Sequence, residues 1–312
     1  MTAALEDMPT PAGIQEHSEH LKSQMAAMKL TFHWLGARKA LSTEQIVRAA
    51  DIFDAERKFV SAGKKLFDTS NPAFRRVTAV KSSATSYYKS VSLPFPEPGL
   101  RLIRQDEVEK IDGRMREHRE ELDDAVSALE NQFDDLTAEA RDRLGDLFDP
   151  ADYPNSLNDI FKIEWSFPTV EAPDYLRRLN PELYEQECHR VRSQFEEAVR
   201  LAEQAFVEDF GKLIDHLQDR LSGAEDGKVK VFRDSVVTNF DDFFQRFASL
   251  NIGSNSALDT LVDRARKIVS GVQPQSLRTR DDLRGQIRDQ LTSIQASLDG
   301  LMVDRPRRNI IR

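Results

Sequence analysis

The stretch QDEVEKIDGRMREHREELDDAVSALENQFDDLTAEARDRLGDLFD, residues 105–149, decides how this chain is built. Val108, Met115, Leu122, Leu129 and Leu136 recur in it every seven residues, with mostly charged residues between them and no proline. A sustained seven-residue apolar spacing holds one stripe of a long helix against a neighbouring helix. The stretch therefore reads as a helix beginning near Asp106, breaking around Leu136-Thr137 or running on to Phe148, with those five residues as its seam. The spacing leaves open whether the seam closes within the chain or on a second copy, because a heptad ladder serves either.

On the N-terminal side, Ile14 to Met28 reads as a helix, and Leu30, Phe32 and Trp34 alternate as a short strand before Gly36. Ser42 is a good N-cap with Gln45 in capping-box position. The helix it opens carries Ile46, Val47, Ala50 and Phe53, then Phe59, Val60 and Phe67 at helical spacing. Asn71-Pro72 opens another helix, with Phe74, Val77, Val80 and Tyr88 as its buried face. PFPEPG (94–99) breaks the chain, and Leu100 to Arg104 reads as a short strand.

On the C-terminal side, DPADYPNS (149–156) is a turn, and Asn155 to Ile160 reads as one helical turn. Ile163, Trp165 and Phe167 alternate with polar residues as a strand, expected to pair with Leu100–Arg104. Pro181 opens a second long helix reaching about Leu221. A break at Gly223–Gly227 precedes a phenylalanine-rich helix over 229–248 and two shorter ones, 256–269 and 277–301. The expected fold is mainly α: an elongated helical bundle with two long antiparallel helices and a small two-stranded β element at their base. Residues 1–13 read as a loose tail and 14–250 as one elongated helical domain with its excursion at 105–148. Residues 251–302 read as a helical segment packing on the same body, and 303–312 as a basic tail.

Composition agrees with long helices. Apolar residues make up 39 % and charged residues 31 %, which is little core and much wet surface, as helices paired along one stripe require. The formal charge of −9 argues against a whole-surface nucleic-acid binder and against docking on anionic lipid. Cys188 is the one cysteine, so no intramolecular disulfide forms, which is compatible with a reducing compartment. No apolar leader and no run of 18 apolar residues is present, so the expectation is a cytoplasmic protein with no membrane partner. Charge is unevenly placed: residues 105–149 carry 16 acidic and 6 basic side chains, whereas residues 57–89 carry 8 basic and one acidic.

Searching for chemistry returns little. Gly63-Lys64 resembles the end of a phosphate-binding loop, but position 58 is lysine where its first glycine belongs and position 65 is lysine rather than Ser or Thr. His17 and His20 lie near the terminus without further ligands, His118 takes a seam position, and Cys188 sits on an apolar stripe with no base nearby. Asp146, Asp149 and Asp152 recur in a turn, without calcium-loop spacing, and read as backbone-bonding turn residues. No catalytic residue, metal ligand or cofactor site is assigned, and an enzyme is the least favoured class. The best signal is the basic segment, Arg57, Lys58, Lys64, Lys65, Arg75, Arg76, Lys81 and Lys89, interleaved with Tyr87 and Tyr88. Such residues neutralise phosphates and stack on bases; the competing reading pairs the same charges with the acidic helix or simply solvates them.

WLGARKAL (34–41), RLGDLFDPADYPN (143–155) and FRDSVVTNF (232–240), with LRLIR, the acidic helix and KIEWSF between them, resemble a family of phage and mobile-element proteins catalogued only as a domain of unknown function. The resemblance covers roughly residues 25 to 250 and carries over no activity, cofactor or site residue. It implies gene neighbourhoods that contain a ring ATPase. The expected function is a non-enzymatic helical interaction or scaffold protein of a phage or mobile element, partnered by another protein or by its own copies. The alternatives are nucleic-acid binding through residues 57–89, or an adaptor for a ring ATPase.

Overall fold

The computed structural model describes residues 11–221, 235–270, 272 and 274–303. In chain order it gives α1 (Pro11–Gln24), β1 (Met25–His33), β2 (Arg38–Ala40), α2 (Thr43–Ile52), β3 (Gly63–Lys65), α3 (Pro72–Ser90), β4 (Ser92–Pro94) and β5 (Leu100–Arg104). Then follow α4 (Val108–Glu130), α5 (Phe133–Leu144), β6 (Lys162–Ser166), α6 (Asp174–Leu179), α7 (Pro181–Leu221), α8 (Ser235–Leu250), α9 (Ser256–Val269), α10 (Pro274–Thr279) and α11 (Asp281–Val303). The fold is mainly helical with a small antiparallel sheet. Among the described residues no helix is long and apolar enough to cross a membrane. The expected N-terminal tail up to residue 10, the break at 223–227, the opening of the phenylalanine-rich helix at 229–234 and the basic tail from 304 lie outside the described residues.

The chain divides into two units. The first takes the described residues of 1–28, 90–106 and 167–312. Its centre is α7, 41 residues and about 60 Å long. Asn180 starts it by accepting the Leu183 N–H at 3.1 Å, and Pro181 fills the first turn, where its missing N–H leaves no bond broken. Val191, Phe195, Ala198, Ala202, Phe206, Phe210, Ile214, Leu217 and Leu221 form its buried stripe. Helices α1 and α11 lie along this helix. Phenylalanines of α8 pack on it, Phe210 stacking on Phe243 at 5.1 Å and Phe206 meeting Phe247 edge-on at 5.0 Å. Within this unit the strand order is β4-β5-β1, with Leu93 opposite Leu102.

The second unit takes 29–89 and 107–166. Here the later half of β1 pairs with β6 in antiparallel register, Leu30 opposite Trp165 and Phe32 opposite Ile163. Helix α4 packs on β6. Asp112 accepts the Trp165 indole N–H at 2.8 Å, and the Arg119 guanidinium lies 4.2 Å from the same ring. Met115, Leu122, Leu129 and Leu136 are buried and Val108 is half-buried, so the seven-residue stripe is an inward face.

Several expectations need correction; the helix expected over 277–301 is broken at Arg280, between α10 and α11. The first helix stops at Gln24, and Met25–Met28 belong to a strand. Strand 162–166 pairs with β1, not with 100–104, whose own antiparallel partner is β4. The acidic helix breaks at Asn131-Gln132, earlier than Leu136-Thr137. There the Gln132 N–H bonds the Leu129 carbonyl, three residues back, in a tightened turn that still leaves Phe133, Leu136 and Ala140 inward. Residues 155–160 make a turn with Asp159 at φ 68°, not a helical turn.

Candidate interaction surface

Strands β2 and β3 form a two-stranded antiparallel ladder with Lys39 directly opposite Lys64 and Ala40 opposite Gly63. The backbone bonds Leu41 N–H to Ala62 O (3.0 Å) and Leu66 N–H to Ala37 O (2.9 Å) extend it at both ends. Gly63 suits this close approach, since a Cβ there would stand 3.2 Å from the Lys39 carbonyl oxygen. Opposed lysines repel; one carboxylate answers both. Asp152, its side chain 1 % exposed, accepts a hydrogen bond from Lys39 Nζ and lies 2.5 Å from Lys64 Nζ. Lys64 also donates to the Leu147 carbonyl at 2.6 Å. Burial pushes the Asp152 carboxyl upward, but the hydrogen bonds and charges of Lys39 and Lys64 outweigh it and hold the group below its ordinary value. That hydrogen bond, followed by the Asp152 charge, raises the Lys39 ammonium. Asp149 caps the adjoining 3-10 turn by accepting the Ala151 N–H at 3.0 Å. The turn aspartates thus serve lysines and backbone, and Lys64 is turned toward a carboxylate rather than toward a phosphate.

This ladder is the stem of an arm, residues 41–62. Ser42 and Gln45 form the expected capping box, with Ser42 N–H donating to Gln45 Oε1 at 2.9 Å. The helix they open ends at Ile52, and Asp54 at φ 50° turns the chain away. This corrects the expected continuous helix: Phe59 lies in a 3-10 turn, and Phe67 sits beyond β3 and packs on Phe74 at 5.0 Å. Of the arm's apolar residues, Ala50 is buried, whereas Ile52, Phe53 and Phe59 are 77 %, 78 % and 79 % exposed. Lys58 pairs with Glu56 at 2.7 Å and lies over the Phe59 ring. Arg57 is exposed. These aromatics carry helical spacing, which reads as core; the signal against core is the dense charge around them, Asp51, Asp54, Glu56, Arg57 and Lys58.

The rest of the basic segment falls into three groups. Tyr88 is buried on the inner face of α3, and Lys64 is buried against Asp152, so neither is available to a ligand. Lys81 lies over Trp34 (4.4 Å) and Phe32 (5.2 Å), its charge against the unit's own rings. Tyr87 is half-buried beside His118, ring centroids 5.9 Å apart; burial, and then the Glu107 charge, raise its hydroxyl. Lys65, Arg75, Arg76 and Lys89 are exposed, and among the described residues no acid lies within ion-pair distance of them.

In the first unit, a cavity of about 300 Å³ is lined by Lys22, Glu171, Asp174, Tyr184, Cys188 and Arg192, among others. A hydrogen bond with Cys188, then its charge, raises the Tyr184 hydroxyl. His118 is fully buried on the α4 seam, its Nδ1 3.0 Å from Glu121 Oε2. Comparison of the chain with protein-family models, with curated proteins and with solved structures finds no match in any of the three.

Proposed function

We propose that this is a non-enzymatic helical interaction protein, a scaffold or adaptor, and that the arm 41–62 is its docking element. The observation that carries the reading is the exposure of Ile52, Phe53 and Phe59 on a stem held by Asp152. Leaving a large apolar side chain in water forgoes about 1.5–3 kcal/mol relative to burying it. Three within eight residues, on a charge-rimmed arm, form the kind of patch that a partner covers. A braced stem favours this use, because docking then orders little additional chain. The family resemblance implies a phage or mobile element within a bacterial cell, with a ring ATPase as one class of partner.

The test places a photo-crosslinking residue at Ile52, Phe53 or Phe59 in turn, in host cells. One discrete protein adduct is expected. The purified partner should bind a Phe53→Ser/Phe59→Ser variant at least tenfold more weakly, with the circular dichroism spectrum unchanged. If the adduct is a ring ATPase, its turnover should change when this protein is added. No adduct at any of the three positions, or a partner indifferent to the double substitution, removes the reading.

A further inference from the structure

We propose that the solvent face of α3 binds the phosphate backbone of a nucleic acid, independently of base sequence. Helix α3 (PAFRRVTAVKSSATSYYKS) has 19 residues, four of them cationic and none acidic. At 100° per residue Arg75, Arg76, Ser82, Ser83, Ser86 and Lys89 share one outward stripe about 140° wide and about 21 Å long. All six are exposed. Arg75, Arg76 and Lys89 form no ion pair among the described residues, whereas Lys81, on the opposite side, is held by Trp34 and Phe32. Charge alone would suit an acidic protein as well as a polyanion. The stripe, however, offers no large apolar side chain, and protein interfaces are built around an apolar core. It offers guanidinium, ammonium and hydroxyl groups, the set that contacts phosphate oxygens. With Tyr88 buried and Tyr87 against His118, the stripe brings no aromatic platform for bases, so its contacts are to the backbone. The acidic face of α4 in the same unit exposes Glu117, Glu120, Asp123 and Asp124, which confines contact to this stripe and keeps binding weak.

The experiment measures anisotropy of a labelled short DNA duplex, the matching single strand and a polyglutamate of equal charge, each titrated with the full chain. Three phosphate contacts give a log–log salt slope of about −2.7 for the duplex, so affinity should fall about 40-fold between 50 and 200 mM salt. Arg75→Glu/Arg76→Glu/Lys89→Glu should abolish binding. An equal reversal at Lys212, Arg264 and Lys267, exposed residues of the first unit, should leave it within twofold. No binding at low salt, loss in both triple variants, or polyglutamate binding as tightly as the duplex would each overturn the proposal. The Phe59 crosslink reads a different surface, so either result stands without the other.

Discussion

At the scale of single residues, Asp152 does the most. Removing it leaves Lys64, whose side chain is 5 % exposed, as a buried cation facing Lys39. Breaking a buried pair from one side costs about 3 kcal/mol or more, so Asp152→Ala should lower the urea midpoint and raise hydrogen exchange across 37–41 and 62–66. The folded carboxyl lies below its ordinary value, so the unfolded chain protonates first as pH falls. Asp152 therefore stabilises fully above its unfolded value, about 3.9, and this contribution disappears as pH drops through the depressed folded value. The gap between wild type and Asp152→Asn, wide at pH 7, should close in acid; a gap that persists would contradict this. His118 is the opposite case. Its Nε2 is buried without a hydrogen-bond partner, so His118→Leu should hold or raise stability, by up to about 1 kcal/mol in thermal melts.

At the scale of elements, the termini of α2 and α7 follow from local chemistry. Ser42→Ala should cost about 1 kcal/mol and fray α2 from its first turn, seen as faster exchange at 43–46. Substitutions at Phe53 or Phe59 should change stability by less than about 0.5 kcal/mol, because those rings are in water already. What is legible in sequence is what neighbouring residues settle. Asn71 accepts the Ala73 and Phe74 N–H groups as an N-cap should, and Pro181 opens a helix that ends at Leu221 as its stripe does. Met25-Ala-Ala-Met28 runs against its local propensity. These are helix-forming residues, and they lie in a strand because β5 neighbours them. The exposed rings of the arm have a related cause: periodicity is the same for a face that meets the chain's own core and for one that meets solvent.

At the scale of the whole molecule, two units each have their own apolar interior, and the chain crosses between them after residues 28, 89, 106 and 166. Both tryptophans, Trp34 and Trp165, belong to the second unit, whereas α7 belongs to the first. Leu122→Ala, at a fully buried position of α4, should cost about 2–5 kcal/mol and move the tryptophan-emission transition to lower urea. The far-UV dichroism, to which the helices of the first unit contribute heavily, should become biphasic. Equal displacement of both signals would show that the units unfold as one.

Spacing and local chemistry were enough to specify the helical character, the seven-residue stripe of 108–136, the starts of α2, α3 and α7, and the charge contrast between 57–89 and 105–149. Each depends on residues within a few turns of one another, where spacing and hydrogen-bonding chemistry act directly. Packing in three dimensions set the rest: that the 108–136 stripe faces its own unit, that β6 pairs with β1, that Lys39, Lys64 and Asp152 meet, and which side of α3 stays in water. Those outcomes join residues scores of positions apart, and burial and pairing between distant segments are set by the packed whole.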